Sequence, residues 1–240
     1  MSSGKYSAVS GAIANMHALD IYANNIANAN TSGYKKDRPR FASYLSEAAQ
    51  EKANGINLTR ISEKSTDFNQ GVTRPTGSPL DLAIDGNGFF QVLKNGQTFL
   101  TRQGNFTLDR NGTLTTLDGG QVLSRDNAPI VLPSRNVMID KSGSILSGQS
   151  QVGSIGIFDV PDAKNLQKIA DGMYVPRQGF AATPMESPRV MQGFLEGSNV
   201  NIVQEMTLMM NNLRTFEAFQ KTLQSYSKMG QKLDEIGSVG

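Results

Sequence analysis

The 240 residues carry 23 Lys and Arg against 21 Asp and Glu, a net charge of +2, with 38% hydrophobic and 18% charged residues. Charge so evenly balanced argues against a nucleic-acid binder, which gathers positive charge on one face, and no apolar run reaches the ~18 residues of a membrane span. Cysteine is absent, which excludes disulfides, thiolate metal sites and cysteine nucleophiles.

The first predicted element is a helix beginning near Lys5. Tyr6, Val9, Ile13, Met16, Leu19, Ala23 and Ile26 step by three or four residues and so share one helical face. The stretch is an interrupted apolar pattern, without the continuous apolar run and small-residue cleavage site of a secretory leader, so export is expected to proceed without cleavage. The helix is expected to stop near Asn30-Thr-Ser-Gly33, with Gly33 in the left-handed conformation. Residues 34–74 are polar and read as an extended linker region.

From residue 75 to 195 the pattern changes. Short β-prone runs (Leu80–Ile84, Gly88–Leu93, Thr98–Arg102, Ile130–Leu132, Ile155–Val160) alternate with Asp85-Gly-Asn-Gly88, Lys94-Asn-Gly96, Asp109-Arg-Asn-Gly112, Asp118-Gly-Gly120 and Asp140-Lys-Ser-Gly143. Asn-Gly and Asp-Gly supply the positive φ of tight hairpins. This segment reads as an all-β domain bracketed by Pro75, Pro79, Pro184 and Pro188.

The last element is a long helix within residues 196–240. Val203, Met206, Met210, Leu213, Phe216, Phe219, Leu223, Tyr226, Met229, Leu233 and Ile236 repeat at three and four residues, with Asn201 as N-cap and Gln204 completing a capping box. At 1.5 Å per residue the helix spans about 50 Å. The expected fold class is therefore α+β: N- and C-terminal helices forming a coiled-coil-like helical domain (1–33 and 196–240), with a central all-β domain.

The sequence holds no catalytic constellation. His17, the single histidine, has no acidic or thiol partner at ligand spacing. Asp85-Gly-Asn-Gly88 and Asp109-Arg-Asn-Gly112 lack the ligand ladder of a calcium loop and read as hairpin turns. Gly86-Asn-Gly88 precedes more β-prone residues and is no dinucleotide fingerprint. Lys35, Lys36, Arg38 and Arg40 form a basic cluster, read as a solvated loop or as salt bridges to a neighbour's carboxylates. No catalytic, cofactor-binding or metal-ligating set emerges, and no cofactor is expected. The apolar stripes remain. The C-terminal one is broader than a short N-terminal helix can cover, and exposed apolar surface marks a binding face. Asn24 and Asn28, at i and i+4, can line a polar stripe that bridges helices. The candidate interface residues are Val9, Ile13, Met16, Asn24, Asn25, Asn28, Met206, Met210, Leu213, Phe216 and Leu223.

Ala23-Asn-Asn-Ile-Ala-Asn-Ala-Asn-Thr-Ser-Gly-Tyr-Lys-Lys36 resembles the signature of flagellar rod and hook axial proteins. In order along the chain, Leu80-Asp-Leu-Ala-Ile-Asp-Gly-Asn-Gly-Phe-Phe90, Thr101-Arg-Gln-Gly-Asn-Phe106 and Gly193-Phe-Leu-Glu-Gly-Ser-Asn-Val-Asn201 are similar to that family's further motifs. The resemblance implies terminal helices packed into the inner wall of a tube with a β domain outside. It also implies self-association and contact with other flagellar axial proteins (proximal and distal rod subunits), export by the flagellar type III apparatus, and a periplasmic place in the basal body. Leu213-Arg-Thr-Phe-Glu217 and the short length look like the proximal-rod type. The distal-rod type, with a longer linker and an Arg-Ala-Tyr-Glu run, is the alternative. A binding module or enzyme on the β domain is the alternative from another class.

Overall fold

The computed structural model describes residues 2–45, 57–170 and 172–237 and is α+β. Its contacts divide the chain into two compact units: residues 1–27, 37–65 and 201–240 form one, and residues 28–36 and 66–200 the other.

The helical unit holds α1 (Ser2–Ala27) and α2 (Ile202–Gly237). The strands Asp37–Leu45 and Asn57–Thr66 pair with each other in a two-stranded sheet. Part of the segment read as linker is therefore paired β-structure. α2 starts at the predicted cap, where Asn201 Oδ1 accepts from the Gln204 N–H at 3.1 Å and the Asn201 carbonyl from the Glu205 N–H at 2.9 Å. α1 stops at Ala27, earlier than the pattern indicates. Asn28 ends it, its carbonyl and side-chain oxygen accepting from the Thr31 N–H and hydroxyl, so the chain is already turning before Gly33.

α1 and α2 pair antiparallel. Asn25 meets Glu205, Asn15 meets Asn212, and Gly11 and Gly4 lie under the rings of Phe219 and Tyr226. A Cβ on Gly11 would stand 2.6 Å from Phe219 Cζ, so glycine is what lets the ring reach the backbone. Ala8, Ala12, Ala14 and Ala18 are buried, while Tyr6, Val9, Ile13 and Met16 are exposed. The face of α1 that packs within the chain is its small-residue face, not the large apolar stripe.

The β unit is built from short antiparallel strands. Its main sheet runs in the order Leu166–Ala170, Met173–Pro176, Gln97–Thr101, Phe89–Lys94, Gln121–Val122, Leu114–Thr116 and Phe106–Leu108. Ile157–Asp159 adds alongside Phe89–Lys94 and in turn pairs with Thr183–Pro184. Asn95 (φ 53°) and Gly96 (φ 76°) make the expected tight turn, which sets Lys94 opposite Gln97. Asp109 Oδ1 accepts from the N–H groups of Asn111 and Thr113 and so shapes its own turn. Asp85-Gly-Asn-Gly88 is not a hairpin. Leu82–Ile84 pairs with Val190–Gln192 and Phe89–Lys94 with other strands, so the segment crosses between two sheets. Ile130 and Leu132 are buried although Ile130–Leu132 forms no strand, only an isolated bridge through Val131.

Two apolar clusters hold this unit. Leu82, Ile84, Phe90, Leu114, Ile145 and Ile157 lie in the larger; Phe89, Leu100, Phe158, Leu166 and Tyr174 in the smaller, with Phe68 stacked edge-on against Phe89 at 5.8 Å. Each such side chain contributes about 1.5–3 kcal/mol on burial.

Candidate assembly interface

Elements of the helical unit leave large apolar side chains in solvent. Val9, Ile13 and Met16 on α1 are 41–47% exposed, and Met206, Met210 and Leu213 on α2 are 45–56% exposed. The α1 stripe steps by four and three residues, as does the α2 stripe, so each occupies one side of its helix. Phe216 and Leu223 are half-buried. Among the described residues no helix is long and apolar enough to cross a membrane.

The asparagines separate by role. Asn25 is wholly buried, its Nδ2 donating to the Asp37 carbonyl at 2.8 Å and to Glu205 Oε2 at 3.0 Å, its Oδ1 accepting from the Asp37 N–H at 3.0 Å. Asn25 thus bridges the two helices, as does the Asn212 amide on the Asn15 carbonyl. Asn24 is exposed on α1, and Asn28 turns the chain. Glu205, also buried, lies in the first turn of α2, where the helix dipole favours a carboxylate. Its charge, after burial, pushes the Tyr22 phenol up. His17 is exposed.

The basic cluster divides: Arg38 and Arg40 are exposed on the strand Asp37–Leu45 of the helical unit, whereas Lys35 and Lys36 are buried in the β unit. Lys35 is 1% exposed and its Nζ lies 2.5 Å from Glu196 Oε1, itself 1% exposed, and 2.8 Å from the Asn69 carbonyl. Arg102 donates to Glu196 Oε2 at 3.1 Å and to the Gly86 carbonyl at 2.6 Å, with its guanidinium 5.3 Å from the Phe89 ring centroid. The Gly71 N–H completes the shell at Oε1. Burial lowers both cations from their ordinary values, and the Glu196 charge offsets part of that shift. Next to it, Asn199 Oδ1 accepts from the Lys36 N–H and Asn199 Nδ2 donates to the carbonyls of Asp67 and Asn69. The four separate motifs of the sequence thus converge here. Lys35 comes from the first, Gly86 from the second, Arg102 from the third, and Glu196 with Asn199 from the fourth. Sequence reasoning missed this node and Glu205. The available signal was chemical: Lys, Arg and Glu inside Gly-rich motifs are buried only when paired.

Among the described residues no cluster of His, Asp or Glu could hold a metal. The arrangement is one of packing, hydrogen bonding and exposed apolar surface.

Comparison with known proteins agrees. Residues 6–35 match the family described as flagella basal body rod protein, residues 83–147 the flagellar hook protein FlgE/F/G D1 domain, and residues 191–236 the flagellar basal body rod FlgEFG protein C-terminal. The chain is 32% identical to the flagellar basal-body rod protein FlgF of Caulobacter vibrioides, covering 92% of each chain. It is 34% identical to the FlgG protein of Bacillus subtilis, over 95% of this chain and 96% of that one. With FlgF of Mesorhizobium japonicum it shares 31% over 99% of both.

Proposed function

Because this chain belongs to the flagellar basal-body rod proteins, as a structural subunit and not an enzyme, we propose that it is a FlgF-type subunit of the proximal rod. Here α1 and α2 pack against other copies and other axial proteins through their outward apolar stripes. The observation that carries this reading is the pair of stripes, Val9, Ile13 and Met16 on one helix and Met206, Met210 and Leu213 on the other, exposed to solvent. Buried between neighbours, each side chain contributes about 1.5–3 kcal/mol.

The pairing of α1 with α2 supports a coiled-coil-like seam. On α2 the contacts recur at Glu205, Asn212, Phe219 and Tyr226, a step of seven residues. Residues 75–195 form the outer β domain in this reading. Export through the flagellar type III apparatus and a periplasmic location belong to the same proposal, since the rod family and the absence of cysteine suit both.

The Leu213-Arg-Thr-Phe-Glu217 segment and the FlgF relatives favour the proximal rod. The similarity to Bacillus FlgG over nearly the whole chain favours a distal-rod reading. Complementation separates them: motility restored in a strain lacking FlgF but not in one lacking FlgG supports the proximal assignment, and the reverse overturns it. The assembly reading is tested by Leu213→Asp. It is expected to fold yet be missing from isolated basal bodies, because a charge in a packed seam costs several kcal/mol. Normal incorporation would refute the stripe's role.

A further inference from the structure

The exposed apolar stripes are rich in one chemically reactive side chain. Met16, Met206 and Met210 are 47%, 48% and 56% exposed, and the Asn212–Asn15 hydrogen bond sets Met16 and Met210 within one helical turn of the same level. Met206 lies one turn from Met210 on the same side of α2. Elsewhere Met173 is buried at 6% exposure, whereas Met229, further along α2, and Met138 in the β unit are 52% and 66% exposed. With no cysteine in the chain, thioethers are its available soft nucleophiles towards peroxide.

We propose that Met16, Met206 and Met210 form an oxidation site through which hydroperoxides control assembly, an inference that rests on the assembly reading above. The sulfur of each thioether attacks one oxygen of hydrogen peroxide. The O–O bond breaks, a sulfur–oxygen bond forms, two electrons pass from sulfur to the peroxide, and water leaves. The product sulfoxide is polar and chiral where the seam requires an apolar, flexible side chain. Methionine is soft enough to fit neighbours of unequal shape, and sensitivity to oxidants accompanies that adaptability. The oxidised subunit cannot bury its stripe and stays out of the tube until a methionine sulfoxide reductase restores the thioether.

The test has two parts. Purified protein exposed to dilute hydrogen peroxide and mapped by peptide mass spectrometry is expected to oxidise Met16, Met206 and Met210 about tenfold faster than Met173. Equal rates at all four would overturn the proposal. In cells, the triple variant Met16→Gln, Met206→Gln, Met210→Gln imitates the polar product. It is expected to be lost from isolated basal bodies, whereas Met138→Gln, in the β unit, assembles normally. If the Gln variant fails to fold, peroxide-treated wild-type protein replaces it: incorporation into added basal-body precursors should fall and return after reductase treatment. Full incorporation of the polar variant, or of the oxidised protein, alongside exclusion of Leu213→Asp would overturn the oxidation site and leave the assembly reading standing. Incorporation of Leu213→Asp as well would remove both.

Discussion

Glu196 and Lys35 meet at 2.5 Å, each side chain 1% exposed, and Arg102 takes the other carboxylate oxygen at 3.1 Å. Two buried cations share one buried anion. The excess positive charge is held by the carbonyls of Asn69 and Gly86 and by the Phe89 ring face. Removing the anion and removing one cation are therefore unequal perturbations.

Glu196→Gln is expected to destabilise the β unit by about 3–5 kcal/mol, because it removes the one carboxylate that both buried cations contact. Lys35→Met is expected to lie within about 1 kcal/mol of the wild type, since Arg102 still neutralises Glu196 and an apolar stem fills the space. Urea unfolding followed by hydrogen exchange at the β unit's amides measures both. Equal losses would show that the node acts by shape and not by charge.

The same node has a pH signature. Burial sets the native pKa of Lys35 below its ordinary 10.5, with Glu196 opposing the shift. Between the native value and 10.5 the unfolded chain holds a proton that the folded chain has released. Stability attributable to Lys35 therefore rises with pH across that window and is at its lowest below it. Subtracting the Lys35→Met curve from the wild-type curve isolates this rise. A flat difference up to 10.5 would contradict the shift.

Asn25→Asp places a carboxylate against Glu205 in the helical unit, 3.0 Å away in the present geometry. Helix pairing is expected to weaken at neutral pH and to recover as acid protonates one member of the pair, so that stability falls as pH rises through the carboxylate range. Far-UV circular dichroism melts at pH 4 and pH 7 report the direction. Asn25→Leu, which removes the three hydrogen bonds from Asn25 to the Asp37 backbone and Glu205, is expected to lose about 3 kcal/mol at both.

Gly11→Val is expected to push α1 and α2 apart at a cost of about 1–3 kcal/mol, since even its Cβ would stand 2.6 Å from Phe219 Cζ. Combined with Phe219→Ala, the loss is expected to be less than additive because the two changes act on one contact. Helical melting of the single and double variants gives the coupling, and strict additivity would show that the ring moves aside freely.

Much of this was legible from residue order. The 3.6-residue period located both helices, Asn201 announced the start of α2, and Asn95-Gly96 announced its hairpin, because each signal depends on atoms within a few residues. α1 ends before the turn residues Asn30 to Gly33 because Asn28 and Thr31 satisfy the last turn before Gly33 is reached. Asp85-Gly-Asn-Gly88 carries a local turn signal without forming a hairpin, because Leu82–Ile84 pairs with the sequence-distant Val190–Gln192 and not with Phe89–Lys94.

Hydrophobic period by itself determined that α1 carries a large apolar stripe, yet only the tertiary structure decided which face packs within the chain. Gly4 and Gly11 accept the rings of Tyr226 and Phe219, so steric fit turns the small-residue face inward and leaves Val9, Ile13 and Met16 exposed. Likewise, four motifs were visible in order along the chain, but the ion pairs joining Lys35, Arg102 and Glu196 were not. A charge becomes legible as a buried partner only when the fold removes the water around it and supplies the opposite charge.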